Sequence, residues 1–265
     1  MTATGRRPPA PVVAAAAVAV AFFLLPLLGL LRRVEWSSLL DDLSSPDARS
    51  AIRLSLVCSL SATGLSVLFG LPLAWVLARV PFRGRSFVRG LVLLPLVLPP
   101  VVGGVALLSA FSRRGLVGSW LYDWFGVQLT FTTAGAILAE TFVALPFFVI
   151  TVEAGLRSTD RRYEDAATTL GAGGGGAFRR VTLPLVAPSV VAGAVLAWAR
   201  ALGEFGATIT FAGNIVGRTQ TLPLAVYLQL ESRPEAAVAL SLVLLVVSLT
   251  VIVALRDRWL SGAVS

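Results

Sequence analysis

The chain has 265 residues, of which 56% are hydrophobic and only 14% charged, and its mean hydropathy is +0.84, which excludes an ordinary soluble domain and reads as a polytopic membrane protein. The net charge of +8 comes from 22 basic residues, all of them arginine, scattered in short segments beside apolar runs, so a nucleic-acid-binding role is excluded. With no histidine and a single cysteine, Cys58, inside an apolar run, the chain offers neither a disulfide framework nor a His/Cys metal site.

Residues 1–10 are a polar lead carrying Arg6 and Arg7. Residues 11–31 contain no charge and are long enough to cross a hydrocarbon core of about 30 Å. The rival reading, a cleaved signal peptide, fits poorly: the run exceeds an h-region and ends on Arg32-Arg33 without a small-residue cleavage pattern. Residues 34–53, with Asp41, Asp42 and Asp47, read as a loop. A second span covers 54–78, interrupted by Gly64, Gly70 and Pro72, and a basic turn with Arg79, Arg83, Arg85 and Arg89 follows. The third span, 90–111, carries Pro95, Pro99 and Pro100 and is predicted to be kinked or partly unwound. Irregular backbone at that depth must be buried in protein or face a watery path, so a packing helix and a pore-lining helix both fit.

Residues 112–133 form a loop whose Trp120, Tyr122, Trp124 and Phe125 suit a membrane interface. The fourth span, 134–156, holds Glu140 and Pro146, with Glu153 near its end. A polar segment, 157–184, leads to a fifth span at 185–211, a loop at 212–235 and a sixth span at 236–255; a tail, 256–265, opens with Arg256 and Arg258.

Six spans put both termini on one side. That side holds Arg6, Arg7, Arg79, Arg83, Arg85, Arg89, Arg157, Arg161, Arg162, Arg179, Arg180, Arg256 and Arg258; the other holds Arg32, Arg33, Arg49, Arg53, Arg113, Arg114, Arg218 and Arg233. The excess predicts that both termini and segment 157–184 are cytoplasmic in a multi-pass plasma-membrane protein, although the Arg32-Arg33 pair runs against it.

Within that segment Asp160 is placed to cap a short helix, and Glu164 and Asp165 fall where the helix dipole favours negative charge. Ala166 and Ala167 leave a face small enough for a close partner surface, and Gly171 supplies the helix stop. The run from Gly171 to Gly176 matches G-x-G-x-x-G, but no strand precedes it and no acid lies about 20 residues on, both of which argue against a dinucleotide site. A Walker A site needs a lysine, which this chain lacks. Each glycine costs a helix about 1 kcal/mol relative to alanine, so the four-glycine run predicts a flexible joint. The spacing Asp165-Ala166-Ala167, Gly171, then Val181-Thr182-Leu183-Pro184 resembles the cytoplasmic E-A-A-x-x-x-G loop of ABC-transporter permeases. One residue departs: Asp165 stands where that family usually has glutamate, with Glu164 just before it.

The other informative stretch is Trp198-Ala-Arg200-Ala-Leu-Gly-Glu204-Phe-Gly-Ala-Thr208, continuing to Ala212-Gly213-Asn214 and Thr219-Gln220-Thr221-Leu222-Pro223. Arg200 and Glu204 are four residues apart and can pair on one helix face. Charges at membrane depth cost about 2.5–3.5 kcal/mol each, which makes them functional candidates; the bland alternative ends the span near Leu202 and lets Glu204 reach the outer interface. Gly203, Gly206 and Gly213 allow a second backbone to approach or the helix to break. The stretch resembles the molybdate/tungstate permeases of the ABC family, and sulfate permeases share its A-R-A-L-G-E core. The outer segment from Arg113 to Gly118 with Phe131-Thr132 fits the same relatives.

The resemblance covers most of residues 50–255 and implies an all-α membrane protein with six transmembrane helices and a type I ABC importer permease fold. Its permease core would be residues 51–255. It further implies a homodimer bound to two ATPase subunits and fed by an extracytoplasmic oxyanion-binding protein, with alternating access across the lipid bilayer. By the same resemblance, coupling to the ATPase falls to Glu164, Asp165, Ala166, Ala167, Gly171, Leu183 and Pro184, and the translocation path or gate to Arg200, Glu204, Thr208 and Asn214. Molybdate, with tungstate possible, is the expected substrate and sulfate or thiosulfate the alternative; no cofactor, metal or nucleic acid is expected. Two other classes fare worse: a secondary transporter needs internal repeats that the chain does not display, and an integral-membrane enzyme needs a polar constellation where the acids here are scattered.

Overall fold

The computed structural model describes residues 9–261, and the chain there is helical with no strand among the described residues. The lead with Arg6 and Arg7, the last four residues of the tail, and the side chains of Arg256 and Arg258 lie outside the described residues. In chain order the helices are α1 (Ala10–Arg32), α2 (Leu39–Ser44), α3 (Pro46–Arg79), α4 (Arg85–Val97), α5 (Pro100–Phe111), α6 (Gly118–Phe125), α7 (Thr133–Ser158), α8 (Arg162–Thr169), α9 (Gly174–Ala177), α10 (Leu183–Leu202), α11 (Gly206–Ala212), α12 (Leu222–Ser232) and α13 (Pro234–Ser261).

Helices α1, α3 and α7, the unit from α9 to α10, and α13 are long and apolar enough to cross a membrane. The broken pair α4 and α5 takes the place of the predicted third crossing, an arrangement consistent with six spans. Helix α1 is apolar all round and buries none of its residues against the rest of the chain, as expected of a span whose solvent is lipid. The body is built on α3, α7 and α10. Their common core holds Ala62, Ala74 and Leu77 of α3, Phe148, Val149 and Val152 of α7, and Val186, Ala197 and Ala201 of α10. So many alanines at the contacts let the backbones come close, which is how membrane helices gain packing energy without a hydrophobic drive between them.

Several expected loops contain helix. The loop predicted at 34–53 holds α2 and the start of α3, because Ser45 accepts the amide of Ala48 and Pro46 opens the helix well before the apolar run begins. The segments 112–133 and 212–235 likewise hold α6 and α12. The glycine run is wound into α9 and a π-helical turn, Phe178–Thr182, leading into α10. Burial of Ala177 and an edge-on contact between Trp75 and Phe178 supply the packing that the glycines themselves cannot.

Two helices are interrupted. The third predicted span stops at Val97 and restarts at Pro100, since prolines 99 and 100 lack the amide hydrogens needed to continue it. The fifth stops at Leu202 and restarts at Gly206. The two interruptions meet: a Cβ on Gly206 would lie 2.8 Å from Pro100, and one on Gly104 would lie 2.5 Å from the Thr210 side chain and 3.0 Å from the carbonyl of Ala207. Only glycine permits this approach of α5 to α11. Gly104→Val should therefore lower stability by about 1–3 kcal/mol through overpacking, whereas Gly64→Ala, with nothing within 4 Å, should be neutral or stabilise by up to about 1 kcal/mol. Thermal unfolding of the two variants in detergent checks the contrast; equal midpoints would mean that α11 does not pack on α5 this closely.

Candidate functional site

The break in the fifth span is held by one carboxylate. After Leu202 the chain turns through Gly203, and α11 begins at Gly206 with unpaired amides at its first turn. Glu204 answers them: its Oε1 accepts the amide of Ala207 at 2.8 Å, while its Oε2 pairs with Arg200 at 2.6 Å. The Glu204 side chain is 1% exposed and that of Arg200 28%, so the carboxylate is enclosed while the guanidinium is partly open. The expected pairing is present, but the helix that was to carry it is not continuous. The span does end at Leu202, yet Glu204 turns inward instead of reaching an interface.

Beside the elbow lies a small polar layer inside an apolar one. Cys58, Ala136 and Ala212 form a buried cluster between α3, α7 and α11. The end of α11 packs on the start of α7, Ala212 with Ala136 and the Phe211 ring beside Gly135, and Ala207 and Phe211 share a cluster with Ala139 and Val143. Thr208 of α11 and Glu140 of α7 lie on helices that pack against each other. Both are fully buried, and the Thr208 hydroxyl and one Glu140 oxygen have no hydrogen-bond partner among the described residues. Asn214 lies past the end of α11, half-buried and with its Oδ1 unpartnered among the described residues. The structure thus joins Arg200 to Glu204 at the start of α11, with Thr208 buried in that helix and Asn214 past its end; Glu140, singled out in the sequence only as an acid in a span, is buried on the neighbouring helix α7.

The second candidate region is at the other end of α10, about 30 Å away by helix length. Helix α8 is short and exposed, and Asp160 accepts the amide of Arg162 at its start. Its end is a Schellman turn: Gly171 has φ +88°, its amide reaches the carbonyl of Thr168, and the amide of Ala172 reaches that of Ala167. Asp165, Ala166 and Gly171 face solvent, Ala167 is half-buried, and Leu183 and Pro184 start α10. Glu164 does not share the exposed face. It pairs at 3.0 Å with Arg79, whose side chain is 7% exposed, and Arg79 also donates to the carbonyl of Thr159 at 3.2 Å. Arg161 returns the contact, donating to the carbonyls of Ala78 and Arg79 at the end of α3. Beneath them Glu153 of α7 pairs with Arg89 of α4 and with Arg157 at 2.9 Å. Arg79 and Arg161 as anchors were missed from the sequence, where they read only as positive charges beside a span.

Among the described residues no group of three or more His, Cys, Asp or Glu could hold a metal ion. What the arrangement can do is mechanical: one polar elbow between broken helices, and one short helix clamped to the long helix α3.

A family model described as "Binding-protein-dependent transport system inner membrane component" matches residues 67–264. The chain belongs to that family. Among curated relatives, the molybdenum transport system permease protein ModB of Mycobacterium tuberculosis is 49% identical over 239 residues, 90% of each chain. The ModB of Escherichia coli is 43% identical over 211 residues, 78% of this chain and 92% of its own. The sulfate transport system permease protein CysT of Escherichia coli is 38% identical over 230 residues, 85% and 83% of the two chains. In fold, the chain matches a bacterial ABC transporter involved in the import of alginate with a TM-score of 0.73 at 20% identity, covering 93% of this chain and 94% of that one. A second alginate transporter structure, in complex with a pentasaccharide-bound periplasmic protein, matches with a TM-score of 0.70 at 22% identity over 91% of both chains. This membrane transport component therefore has the permease fold of ABC importers, as its sequence motifs implied.

For this family member the Arg200–Glu204 pair makes a sharp expectation. Removing one partner of a fully buried pair costs about 3–5 kcal/mol; with Arg200 partly exposed, Arg200→Ala should cost about 1–3 kcal/mol. Arg200→Ala with Glu204→Gln should recover most of the loss, because glutamine keeps an acceptor for the amide of Ala207 without an unpaired charge. Thermal unfolding of the purified permease compares the two; a double variant no better than the single would mean that the unpaired charge of Glu204 is not the cause of the loss.

Proposed function

We propose that this chain is the permease subunit of an ATP-driven importer that carries molybdate, and tungstate with it, into the cytoplasm by alternating access. The observation that carries the reading is the elbow: the stretch from Trp198 to Leu224, which resembles molybdate permeases, is the stretch that breaks, turns a charged pair inward and packs on the second broken helix. The 49% and 43% identities to molybdenum permeases support the same substrate. In this reading Arg200, Glu204, Thr208 and Asn214 line or gate the path, and the permease core is residues 51–255, with helix α1 outside it. The arginine excess supports cytoplasmic termini and a cytoplasmic segment 157–184.

ATP hydrolysis belongs to a separate subunit, of which two copies bind a dimer of this chain, and an extracytoplasmic oxyanion-binding protein delivers the substrate. Helix α8 is the coupling helix. Its exposed Asp165, Ala166 and Gly171 are the docking face, with Ala167, Leu183 and Pro184 framing it. Glu164 has a different task from the one its place in the motif implied: paired with Arg79, it fastens the coupling helix to α3, so that movement imposed on α8 is carried into the membrane. Ala166→Glu or Gly171→Asp should abolish co-purification of the ATPase subunit. Arg79→Ala should keep co-purification but cut molybdate uptake per ATP hydrolysed several-fold, and Arg79→Glu with Glu164→Arg should restore much of it. If the swap restores nothing while both singles impair coupling, the pair is not the fastening.

The second reading is a sulfate or thiosulfate permease, favoured by the 38% identity to a sulfate permease. All these dianions need donors rather than acceptors, so the elbow's chemistry suits each of them. Uptake of labelled molybdate by the complex reconstituted with its own binding protein decides between them. Tungstate should compete at near-equal concentration and sulfate should fail in large excess; transport of sulfate with molybdate merely tolerated would overturn the substrate.

A further inference from the structure

At the end of α7 opposite the coupling helix, a cavity of about 540 Å³ opens between the end of α5 and the segment leading into α7. Its polar lining is Ser112, Arg113, Arg114, Gln128 and Thr130, Phe131 forms a wall, and no acidic side chain lines it. Arg113 and Arg114 make no ion pair among the described residues. The Arg113 guanidinium carbon stands 3.8 Å from the centre of the Tyr122 ring, a stacking that fixes the plane of the group and leaves its edge N–H groups free to donate. Gln128 donates to the Thr130 hydroxyl oxygen at 3.2 Å, so that hydroxyl keeps its own proton to give.

Two guanidinium groups give the cavity charged donors, and no carboxylate lines it to oppose them. Such a lining suits a fully deprotonated tetrahedral oxyanion, which can only accept, better than a protonated one that must also donate. Its volume far exceeds one such ion, so the ion would enter with much of its water, and the desolvation penalty stays small along with the affinity. The wall connects to the elbow. Phe131 holds a left-handed backbone, φ 60°, and its ring packs where a Cβ on Gly213 would come within 3.0 Å. Gly213 ends α11, the helix that Glu204 caps at its other end.

We propose that this cavity is the receiving site for the tetrahedral oxyanion at the outer mouth of the path, holding it weakly through Arg113 and Arg114 before it reaches Arg200. The assignment rests on the transport reading above and adds to it a site that lies outside the elbow.

The test is equilibrium dialysis of labelled molybdate against the permease–ATPase complex in nanodiscs, without binding protein, alongside uptake assays with it. The nanodiscs are made once of zwitterionic lipid and once with anionic lipid. The wild-type complex should bind molybdate weakly but saturably, with tungstate competing. Arg113→Ala with Arg114→Ala should weaken that binding at least ten-fold and lower uptake, Arg113→Lys with Arg114→Lys should keep part of it, and ATPase co-purification should not change. A wild-type complex that imports molybdate yet shows no saturable binding, or a double alanine variant that binds it normally, overturns the site and leaves the transport reading intact. Loss of anionic-lipid retention with unchanged molybdate binding would make the arginines a headgroup contact, and loss of binding-protein docking with unchanged molybdate binding would make them a protein contact; either result also overturns it. If the wild-type complex imports sulfate instead, the proposed substrate fails, and labelled sulfate replaces molybdate in the same comparison.

Discussion

A helix broken inside a membrane must find partners for the backbone groups it frees, and in this protein Glu204 is that partner. One oxygen takes the amide of Ala207 and the other takes Arg200, so a single side chain restarts α11 and neutralises its own charge. The elbow exists only because both demands are met at once. Without the amide contact α11 loses its start; without Arg200 the carboxylate is a lone charge in a space with almost no exposure. The close approach of α5 through Gly104 and Gly206 depends in turn on where that elbow puts α11.

The same logic of paired obligations holds the end of the bundle where α3 meets α8. The last carbonyls of α3 have no partner within their own helix, and Arg161 supplies one from the segment before α8. Arg79, at the end of α3, reaches back to Glu164 and Thr159. Each strand of chain caps the other, so α8 cannot shift without moving the end of α3. Because α3, α7 and α10 share one tightly packed core, such a shift would be carried along the bundle as a body, and α10 joins that core to the elbow. On the proposed transport reading this is the mechanical link between the docking helix and the gate. Thr208 and Glu140, buried without full hydrogen bonding, mark the layer where such movement has unspent polar contacts to exchange.

Much of this protein was legible in its sequence because membranes impose simple rules. Apolar run length determined where α1, α3, α7, α10 and α13 run, since roughly 20 uncharged residues in a row have few other uses. Local chemistry determined the interruption at Pro99-Pro100, the turn at Gly171 and the four-residue spacing of Arg200 and Glu204, and the two motifs pointed to the family before any coordinates. These are features in which a residue's own backbone preference, or its near neighbour along the chain, decides the outcome.

What only the tertiary structure decided are the contacts between residues far apart in sequence. Glu164 reads as part of a docking motif, but its partner Arg79 lies 85 residues away, and that distance turns it inward. Glu140 and Thr208 are buried because α7 and α11 pack together, which no periodicity within either helix reveals. The glycine run, poor at helix on its own, is wound because Trp75 waits for Phe178 and α10 waits beyond it. Local rules place helices in a membrane, but the partner of a buried charge is chosen by packing, and packing belongs to the whole chain.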